Sequence, residues 1–186
     1  MERADAARNR AKILEAAAAL FAERPPQDVT MDDIARRAGV GRGTLYRRYP
    51  DRASIAVALL DEHERALQEE LLRGEPPLGP GAPPDERLAA FYAAMVRLLE
   101  DHSHLVLGTE VGRSRFETGA YGFWRAHVRA LLVAAGTPEP DALVDVLLAP
   151  LAPEVYGYQR TTLGLTPDRI AAALARLTTV LRPAPS

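Results

Sequence analysis

Apolar residues recur every three or four positions along most of the chain, which is the spacing of an amphipathic helix. The first such stripe predicts a helix from about Asp5 to Glu23, which Pro25 and Pro26 then end. Its apolar members are Ile13, Leu14, Ala17, Leu20 and Phe21. Nowhere does an alternating apolar and polar pattern persist as it would in a half-buried strand. The sequence therefore predicts an all-α fold.

The segment from residue 30 to residue 52, TMDDIARRAGVGRGTLYRRYPDR, predicts two short helices joined by a tight turn. Thr30 suits the N-cap of the first helix, and Asp33 stands three residues later, as in a capping box. Gly39-Val40-Gly41 ends that helix, and the second follows from about Arg42 to Tyr49. Two short helices that meet at a glycine turn form the motif that places its second helix in the major groove of DNA.

Charge is distributed unevenly along the chain. The net charge is −2, but residues 1–52 carry eleven basic and eight acidic residues, and residues 53–186 carry twelve and seventeen. Six arginines stand between Arg36 and Arg52, against the single acid Asp51. This asymmetry favours an N-terminal DNA-binding domain over residues 1–52 and a helical regulatory and dimerisation domain over residues 53–186.

Several residues of the basic segment are candidates for DNA contacts. Arg42 and Thr44 open the second helix, where side chains reach base edges, and Arg47 is a further candidate for a base. The others would mainly hold phosphates. The full set is Thr30, Arg42, Gly43, Thr44, Tyr46, Arg47, Arg48, Tyr49 and Arg52. The alternative is an ordinary helical hairpin with a solvated basic edge.

The stretch AGVGRGTLYRRYPDR resembles the recognition segment of the tetracycline-repressor-like (TetR) family of transcriptional regulators. The family pattern runs approximately small-Gly-Val-Ser-x-Gly-Thr-Leu-Tyr-x-His-Phe-x-x-Lys. The positions that match it are Gly39, Val40, Gly43, Thr44, Leu45 and Tyr46. Gly41 replaces the usual serine and removes a hydroxyl cap, while Arg48, Tyr49 and Arg52 replace His, Phe and Lys. The resemblance covers about residues 8 to 60 and implies a three-helix DNA-binding domain.

Beyond this domain the apolar pattern predicts a helical body. A long helix begins at Asp51 and continues to about Arg73, and a loop rich in proline and glycine follows from Gly74 to Pro84. Further helices are predicted over residues 85–101, 105–111 and 120–135, from Pro140 to about Leu163 with interruptions at Pro150 and Pro153, and from Thr166 onward.

The family resemblance implies a cavity in this body that accepts a small hydrophobic ligand. The apolar candidates for its lining are Tyr92, Met95, Phe116, Tyr121, Phe123 and Trp124. The polar candidates, which would orient a ligand, are Glu110, Arg113 and His127. The alternative is a body filled by its own side chains. A ligand in the cavity would tilt the long helix from Asp51 and thereby change the spacing of two DNA-binding domains.

A homodimer is also expected, because two-fold dimers are the commonest oligomers and one small domain makes few DNA contacts. The segment LLAPLAPEVYGYQR, residues 147–160, resembles the start of the dimer helices in the TetR family. The interface candidates on the last two predicted helices are Leu147, Leu151, Ile170, Leu174 and Leu177.

Other classes of protein find little support in the sequence. It has no glycine-rich phosphate loop, HExxH or GxSxG motif and no cysteine, so neither an enzyme nor a cofactor is expected. His102, His104 and Glu110 could ligate a metal, but solvated histidines are the preferred interpretation, and no metal site is expected. No apolar run approaches the roughly 20 residues of a membrane span, which favours a cytoplasmic protein without a membrane partner.

The sequence thus predicts a DNA-binding transcriptional regulator that acts as a homodimer on double-stranded operator DNA. A repressor that a small apolar ligand releases from DNA is the preferred form. One alternative is a regulator without a small-molecule inducer, and the other is a helical enzyme or lipid carrier.

Overall fold

The computed structural model describes residues 2–106 and 119–181, and throughout these two ranges the regular structure is helical, without a strand. The helices are α1 (Glu2–Glu23), α2 (Met31–Ala38), α3 (Arg42–Arg48), α4 (Arg52–Arg73), α5 (Pro84–Val106), α6 (Gly119–Ala134), α7 (Pro140–Leu148), α8 (Pro153–Gly157) and α9 (Pro167–Ala175). Shorter 3₁₀ segments cover Pro26–Asp28, Ala149–Leu151 and Arg176–Leu181, and a π-helical turn covers Tyr158–Thr162. The predicted all-α fold is confirmed. None of the described helices has the length and apolar character needed to cross a membrane.

The chain divides into two compact units, which we call the head (Met1–Glu62) and the body (His63–Ser186). The division lies inside α4, whereas the sequence prediction set the domain boundary at residue 52, where α4 begins. Asp51 caps this helix, since its Oδ1 accepts a hydrogen bond of 2.8 Å from the backbone N–H of Ser54. Asp51, where the sequence predicted this helix to begin, is therefore its N-cap.

The head has a hydrophobic core of its own, to which α1, α2, α3 and the first part of α4 each contribute an apolar face. The buried members are Ile13, Leu14, Ala17, Leu20, Val29, Ile34, Ala35, Leu45, Tyr49, Ile55 and Leu59. Phe21 packs against this cluster while staying partly accessible. The predicted stripe of α1 thus covers the short helices of the basic segment, and its burial holds them in place.

The core of the body is organised around α5, which packs against α6, α8 and α9. Leu88, Phe91 and Tyr92 on α5 are fully buried, as are Val128 and Leu132 on α6. A buried aromatic or leucine side chain contributes about 1.5–3 kcal/mol relative to an exposed one. Of the described helices of this unit, α5 contributes the most buried residues to the core.

Two prolines interrupt the helix that was predicted to run from Pro140 to about Leu163. Here α7 ends at Leu148, the 3₁₀ segment contains Pro150, and Pro153 opens α8 at a position where its missing N–H costs nothing. The predicted interruptions are therefore confirmed. Arg160, in the π-helical turn that follows, makes a bidentate pair with Glu100 of α5, with distances of 2.7 Å (Nη2–Oε1) and 2.8 Å (Nε–Oε2). The hydrogen bonds from Arg160 hold the pKa of Glu100 below its usual value.

The predicted ends of the long helices agree with the structure to within a few residues, with one exception. On the C-terminal side α5 continues to Val106, whereas the prediction ended it at Asp101. The separate short helix predicted over residues 105–111 is therefore wrong at its start, since its first two residues belong to α5. The remainder of that segment lies outside the described residues.

Candidate nucleic-acid interface

The N-terminus of α2 is fixed by the capping box that the sequence predicted. Thr30 is extended, with φ −96° and ψ 158°, and its Oγ1 accepts a hydrogen bond of 3.1 Å from the backbone N–H of Asp33. In return Asp33 Oδ2 accepts a hydrogen bond of 3.1 Å from the backbone N–H of Thr30. The hydroxyl of Thr30 also donates to Asp33 Oδ2 at 2.8 Å, and this bond, together with those from the backbone N–H of Thr30 and the side chain of Arg24, lowers the pKa of Asp33. Both orphan N–H groups are satisfied, so α2 starts at a defined residue.

The turn between α2 and α3 depends on Gly39. This residue has φ 65° and ψ 33°, a left-handed conformation that costs other L-residues about 1 kcal/mol or more. The N–H of Val40 donates to Ala35 O at 3.1 Å, and the N–H of Gly39 donates to Arg36 O at 3.3 Å. This pair of bonds is a Schellman motif, which closes α2 and turns the chain into α3 within three residues.

One face of α3 holds it to the head, and the other is open to solvent. Leu45 is fully buried in the head core, whereas Arg42, Gly43, Tyr46 and Arg47 are exposed. No side chain caps the N-terminus of α3 at Gly41, as expected from the missing hydroxyl. The exposed face is therefore basic, and no described side chain caps the backbone N–H groups of its first turn.

The arginines on this face are held by weak contacts with other surface groups. The side chain of Arg42 is 71% exposed and forms an ion pair with Asp32 of α2. Arg47 Nε donates to the backbone oxygen of Gly43 at 3.1 Å, one turn earlier in α3. Exposed pairs of this kind contribute about 0–1 kcal/mol, so a phosphate or a base can replace them at small cost.

Packing within the head does not explain why a glycine, Gly43, stands inside α3. A Cβ atom built on Gly43 would meet no described atom within 4 Å, so packing within the head does not require a glycine there. Glycine destabilises a helix by up to about 1 kcal/mol relative to alanine. The open backbone at Gly43 is therefore suited to a close approach by a molecule outside the chain.

Two further arginines that were predicted to contact DNA form hydrogen bonds within the head. Arg52 Nη1 donates to the carbonyl oxygens of Gln27 at 2.7 Å and Val29 at 2.9 Å, which ties the start of α4 to the segment before α2. Arg48 Nη1 donates to Ala6 O of α1 at 3.3 Å. Sequence reasoning missed these internal roles, because the partners lie 23 to 42 residues away in the chain. Their phosphate contacts stay predictions, as does that of Thr30.

The structure corrects the assignment of Tyr49 as a DNA-contacting residue. Tyr49 is only 6% exposed and belongs to the head core. It adopts an extended conformation as the C-cap of α3, immediately before Pro50, and its side chain packs in the head core. Arg36, which the prediction did not include, is the opposite case, since 79% of its side chain is exposed on α2.

The ligand candidates of the body fall into three groups. Tyr92, Met95 and Trp124 are buried, and Tyr92 Oη donates to the carbonyl oxygen of Leu147 at 3.0 Å. Tyr121 Oη instead donates to Asp145 Oδ1 at 2.8 Å in a surface contact, and Phe123 and His127 are half-buried. Glu110, Arg113 and Phe116 lie outside the described residues.

The structure also corrects the interface candidates. Leu147, Leu151, Ile170 and Leu174 are between 2% and 7% exposed and pack in the core of the body, so their side chains do not form a surface. Leu177 differs from them, with 39% of its area exposed. The apolar stripe correctly predicted that these four side chains are buried. They are covered, however, by α5 and its neighbours in the same chain and not by a second copy.

The structure describes the three metal candidates to different extents. His102 is 3% exposed, and its Nε2 lies 2.7 Å from Nδ1 of His63 on α4, a contact that sequence spacing did not reveal. The side chain of His104 and the whole of Glu110 lie outside the described residues. Elsewhere in residues 2–106 and 119–181, no three acidic, histidine or cysteine side chains gather as a metal would need.

Comparison with known proteins agrees with this geometry. Residues 13–59, which form most of the head, match the model of the family described as bacterial regulatory proteins, tetR family. An HTH-type transcriptional regulator of Mycobacterium tuberculosis is 31% identical over 124 residues, or 67% of this chain. The chain spans 59% of the length of that relative.

Solved structures show the same fold along nearly the whole chain. A Rhodococcus protein described as a TetR-family transcriptional regulator has a TM-score of 0.65 at 18% identity, covering 95% of this chain and all of its own. The transcriptional regulator FadR from Bacillus subtilis, in complex with stearoyl-CoA, has a TM-score of 0.62 at 17% identity and covers 90% of this chain and 96% of its own.

The head and its basic helix α3 define a helix-turn-helix protein with a helical body. The chain belongs to the TetR family of bacterial regulatory proteins. Both the family and the mycobacterial relative are described as regulators and not as enzymes.

Proposed function

We propose that the protein is a sequence-specific DNA-binding regulator of transcription that acts as a repressor. The observation that carries this proposal is the exposed face of α3, where Arg42, Gly43 and Arg47 lie beside one another on a helix that Leu45 anchors to the head. A short basic helix with an open backbone can enter the major groove and reach base edges. A cytoplasmic location belongs to the same proposal, because operator DNA is the partner.

Binding-site selection from random double-stranded DNA tests this function directly. The expected result is a two-fold symmetric sequence with half-sites about one helical turn apart, roughly 34–36 Å. Affinity for the selected site should exceed affinity for random DNA by about 10³-fold or more at physiological salt. Enrichment of no sequence, with equal affinity for all DNA, would contradict the proposal.

The symmetric site requires a homodimer, which is the second part of the proposal. Several apolar side chains near the C-terminus of the body are exposed between 39% and 63%, unlike the buried stripe that was first expected to form the interface. They are Val146, Val155, Tyr158, Leu163 and Leu177. Contacts between two copies would remove these side chains from water. Sedimentation equilibrium at micromolar concentration should give twice the mass of one chain, and a monomer would contradict the proposal.

A small apolar ligand that binds the body and weakens DNA binding is the third part. The fold likeness to a FadR structure that holds stearoyl-CoA supports it, and so does the aromatic content of the body core around Phe91 and Trp124. A ligand regulates only if it prefers one conformation, and typical coupling changes affinity by about 5–150-fold. A thermal-shift screen of metabolites followed by operator titration tests this. Unchanged operator affinity with a bound ligand would favour a regulator without an inducer.

A further inference from the structure

Among the buried side-chain polar atoms of the body that lack a hydrogen-bond partner in the described residues, two lie on side chains next to Phe91. They are Nε of Arg87, in the first turn of α5, and Nε2 of His127, on α6. Arg87 stands one turn before Phe91 on α5, and the ring centroids of Phe91 and His127 are 5.3 Å apart. A buried polar group without a partner is unfavourable, so two such groups around one ring favour the binding of another group there.

The guanidinium of Arg87 is held in place although one of its nitrogens is free to bind. Its Nη2 donates to the carbonyl oxygen of Leu71 at the end of α4, at a distance of 3.1 Å. No ion pair joins it to a carboxylate in the described part of the body. A fixed, partly buried cation without a counter-ion favours an anionic partner, and its Nε–H is a preorganised donor for that partner.

His127 supplies the second polar group of this cluster. Burial, and then the charge of Arg87, lowers its pKa to about 4, so the imidazole is neutral near pH 7. A neutral imidazole carries one N–H, and the tautomer with the proton on Nε2 is a donor beside the donor of Arg87. The two side chains thus offer two donors and a single positive charge, which match the two oxygens and the single charge of a carboxylate.

An aromatic wall adjoins these donors. The ring of Phe91 lies 5.3 Å from the ring of His127 and 5.9 Å from the ring of Trp124, measured between centroids. Phe91 and Trp124 are 0% and 5% exposed. A molecule whose polar end meets Arg87 and His127 would place its apolar part against these rings.

We propose that Arg87 and His127 form the carboxylate-binding end of a ligand site in the body, and that this site accepts monocarboxylates with an apolar chain or ring. The inference rests on the proposed ligand response and specifies the chemical class of the ligand. The carboxylate lies against the two donors, and its apolar part extends along Phe91 toward Trp124.

Trp124 is the single tryptophan of the chain, so its fluorescence reports on this site. The full-length protein is titrated at pH 7.5 with octanoate and, as a neutral molecule of the same shape, with octanamide. We expect a saturable change in emission and an affinity for octanoate about tenfold or more above that for octanamide, because charge-assisted hydrogen bonds are strong in a partly buried site. Equal affinities, or no saturable change with octanoate, would overturn the inference.

Three variants assign the preference to particular side chains. Arg87→Met removes the charge and should reduce the ratio of the two affinities to about one, with octanamide binding within about twofold of wild type. His127→Phe keeps an aromatic ring beside Phe91 and should lower the ratio by several-fold, which provides a second measurement if Arg87→Met impairs folding. Arg97→Met, at an exposed position of the same helix, is the matched control and should keep the full ratio. A full ratio in both Arg87→Met and His127→Phe would also overturn the inference.

Operator binding is measured separately, without any carboxylate. If the protein binds operator but does not prefer octanoate, the carboxylate site is wrong and the proposed function is unaffected. If it prefers octanoate but binds no DNA, the proposed function fails and the site stands.

Discussion

The head and the body are both built from amphipathic helices, but sequence determines their surfaces to different degrees. In the head, single residues with special chemistry fix the geometry: Thr30 and Asp33 start α2, and Gly39 ends it with φ 65°. In the body, the pattern of leucines shows which faces are buried without showing what covers them. Local chemistry therefore defines a binding face in the head, whereas the surface of the body depends on how its helices pack.

The largest effect is expected on the stability of the body, from substitutions at two nearby leucines with different burial. Leu174 is 7% exposed in the core, whereas Leu177 is 39% exposed. Leu174→Arg would place a charge without a partner in the core and should destabilise the body by about 3–5 kcal/mol or more. Leu177→Arg should leave the fold nearly unchanged and weaken the dimer. Thermal denaturation followed by circular dichroism, together with sedimentation equilibrium, separates the two outcomes.

This contrast reverses the simplest expectation from the sequence, in which Leu174 was an interface residue. If Leu174→Arg instead gives a stable, folded monomer, the buried position of Leu174 in one chain is wrong. If Leu177→Arg remains a dimer with the affinity of wild type, the exposed side chains near the C-terminus do not form the interface.

The second prediction concerns DNA binding by α3. Arg42→Ala should reduce affinity for the selected operator by about 1–3 kcal/mol and relax the preference at one base, because a charged side chain at the start of the recognition helix is lost. Arg73→Ala is a matched control, since the side chain of Arg73 is 76% exposed and paired with Glu69, much as that of Arg42 is 71% exposed and paired with Asp32. Fluorescence anisotropy with operator and with random DNA measures both.

The control should bind operator and random DNA as wild type does. An equal loss of affinity in both variants would show that net charge alone is responsible. Wild-type discrimination in Arg42→Ala would mean that α3 does not read the bases.

How much of this was predictable depends on the range of the interactions involved. The cap at Thr30, the turn at Gly39 and the interruptions at Pro150 and Pro153 depend on residues at most a few positions apart, and the sequence predicted all of them. The bonds from Arg52 to Gln27 and Val29 join residues more than 20 positions apart, and no local pattern indicates them.

The same reasoning explains the corrections at Tyr49 and Leu147. A motif match placed Tyr49 among the DNA contacts, but its backbone is extended before Pro50 and its side chain packs in the head core. Leu147 has the spacing of an interface residue, but helix periodicity is the same whether the covering surface belongs to the same chain or to a second copy. Only the packing of the whole body distinguishes these cases.

The third prediction tests the local chemistry of the head at a site away from α3. Thr30→Ala removes the side-chain cap of α2 and should lower the free energy of unfolding of the head by about 1 kcal/mol. Thr30→Ser keeps the hydroxyl and is the matched control, with a stability close to wild type. Urea denaturation measures the difference. Equal stability of all three proteins would show that the capping box has no energetic role.

The smallest change in stability is expected for Gly43→Ala. This substitution should stabilise the head slightly and at the same time weaken DNA binding. An alanine Cβ at this position meets no described atom within 4 Å, and alanine is the better helix former, so Gly43→Ala should stabilise the head by about 0.5 kcal/mol. The same methyl group would lie on the exposed face of α3, where it would separate the helix backbone from DNA and weaken operator binding several-fold.

Gly122→Ala, at an exposed helical glycine of α6 with equally open surroundings, is the matched control and should leave operator affinity unchanged. Urea denaturation and operator titration on the same samples give both signs. If Gly43→Ala binds operator as tightly as wild type does, DNA does not approach the backbone of α3 at this point. The glycine inside α3 would then no longer support a DNA-binding role for this face.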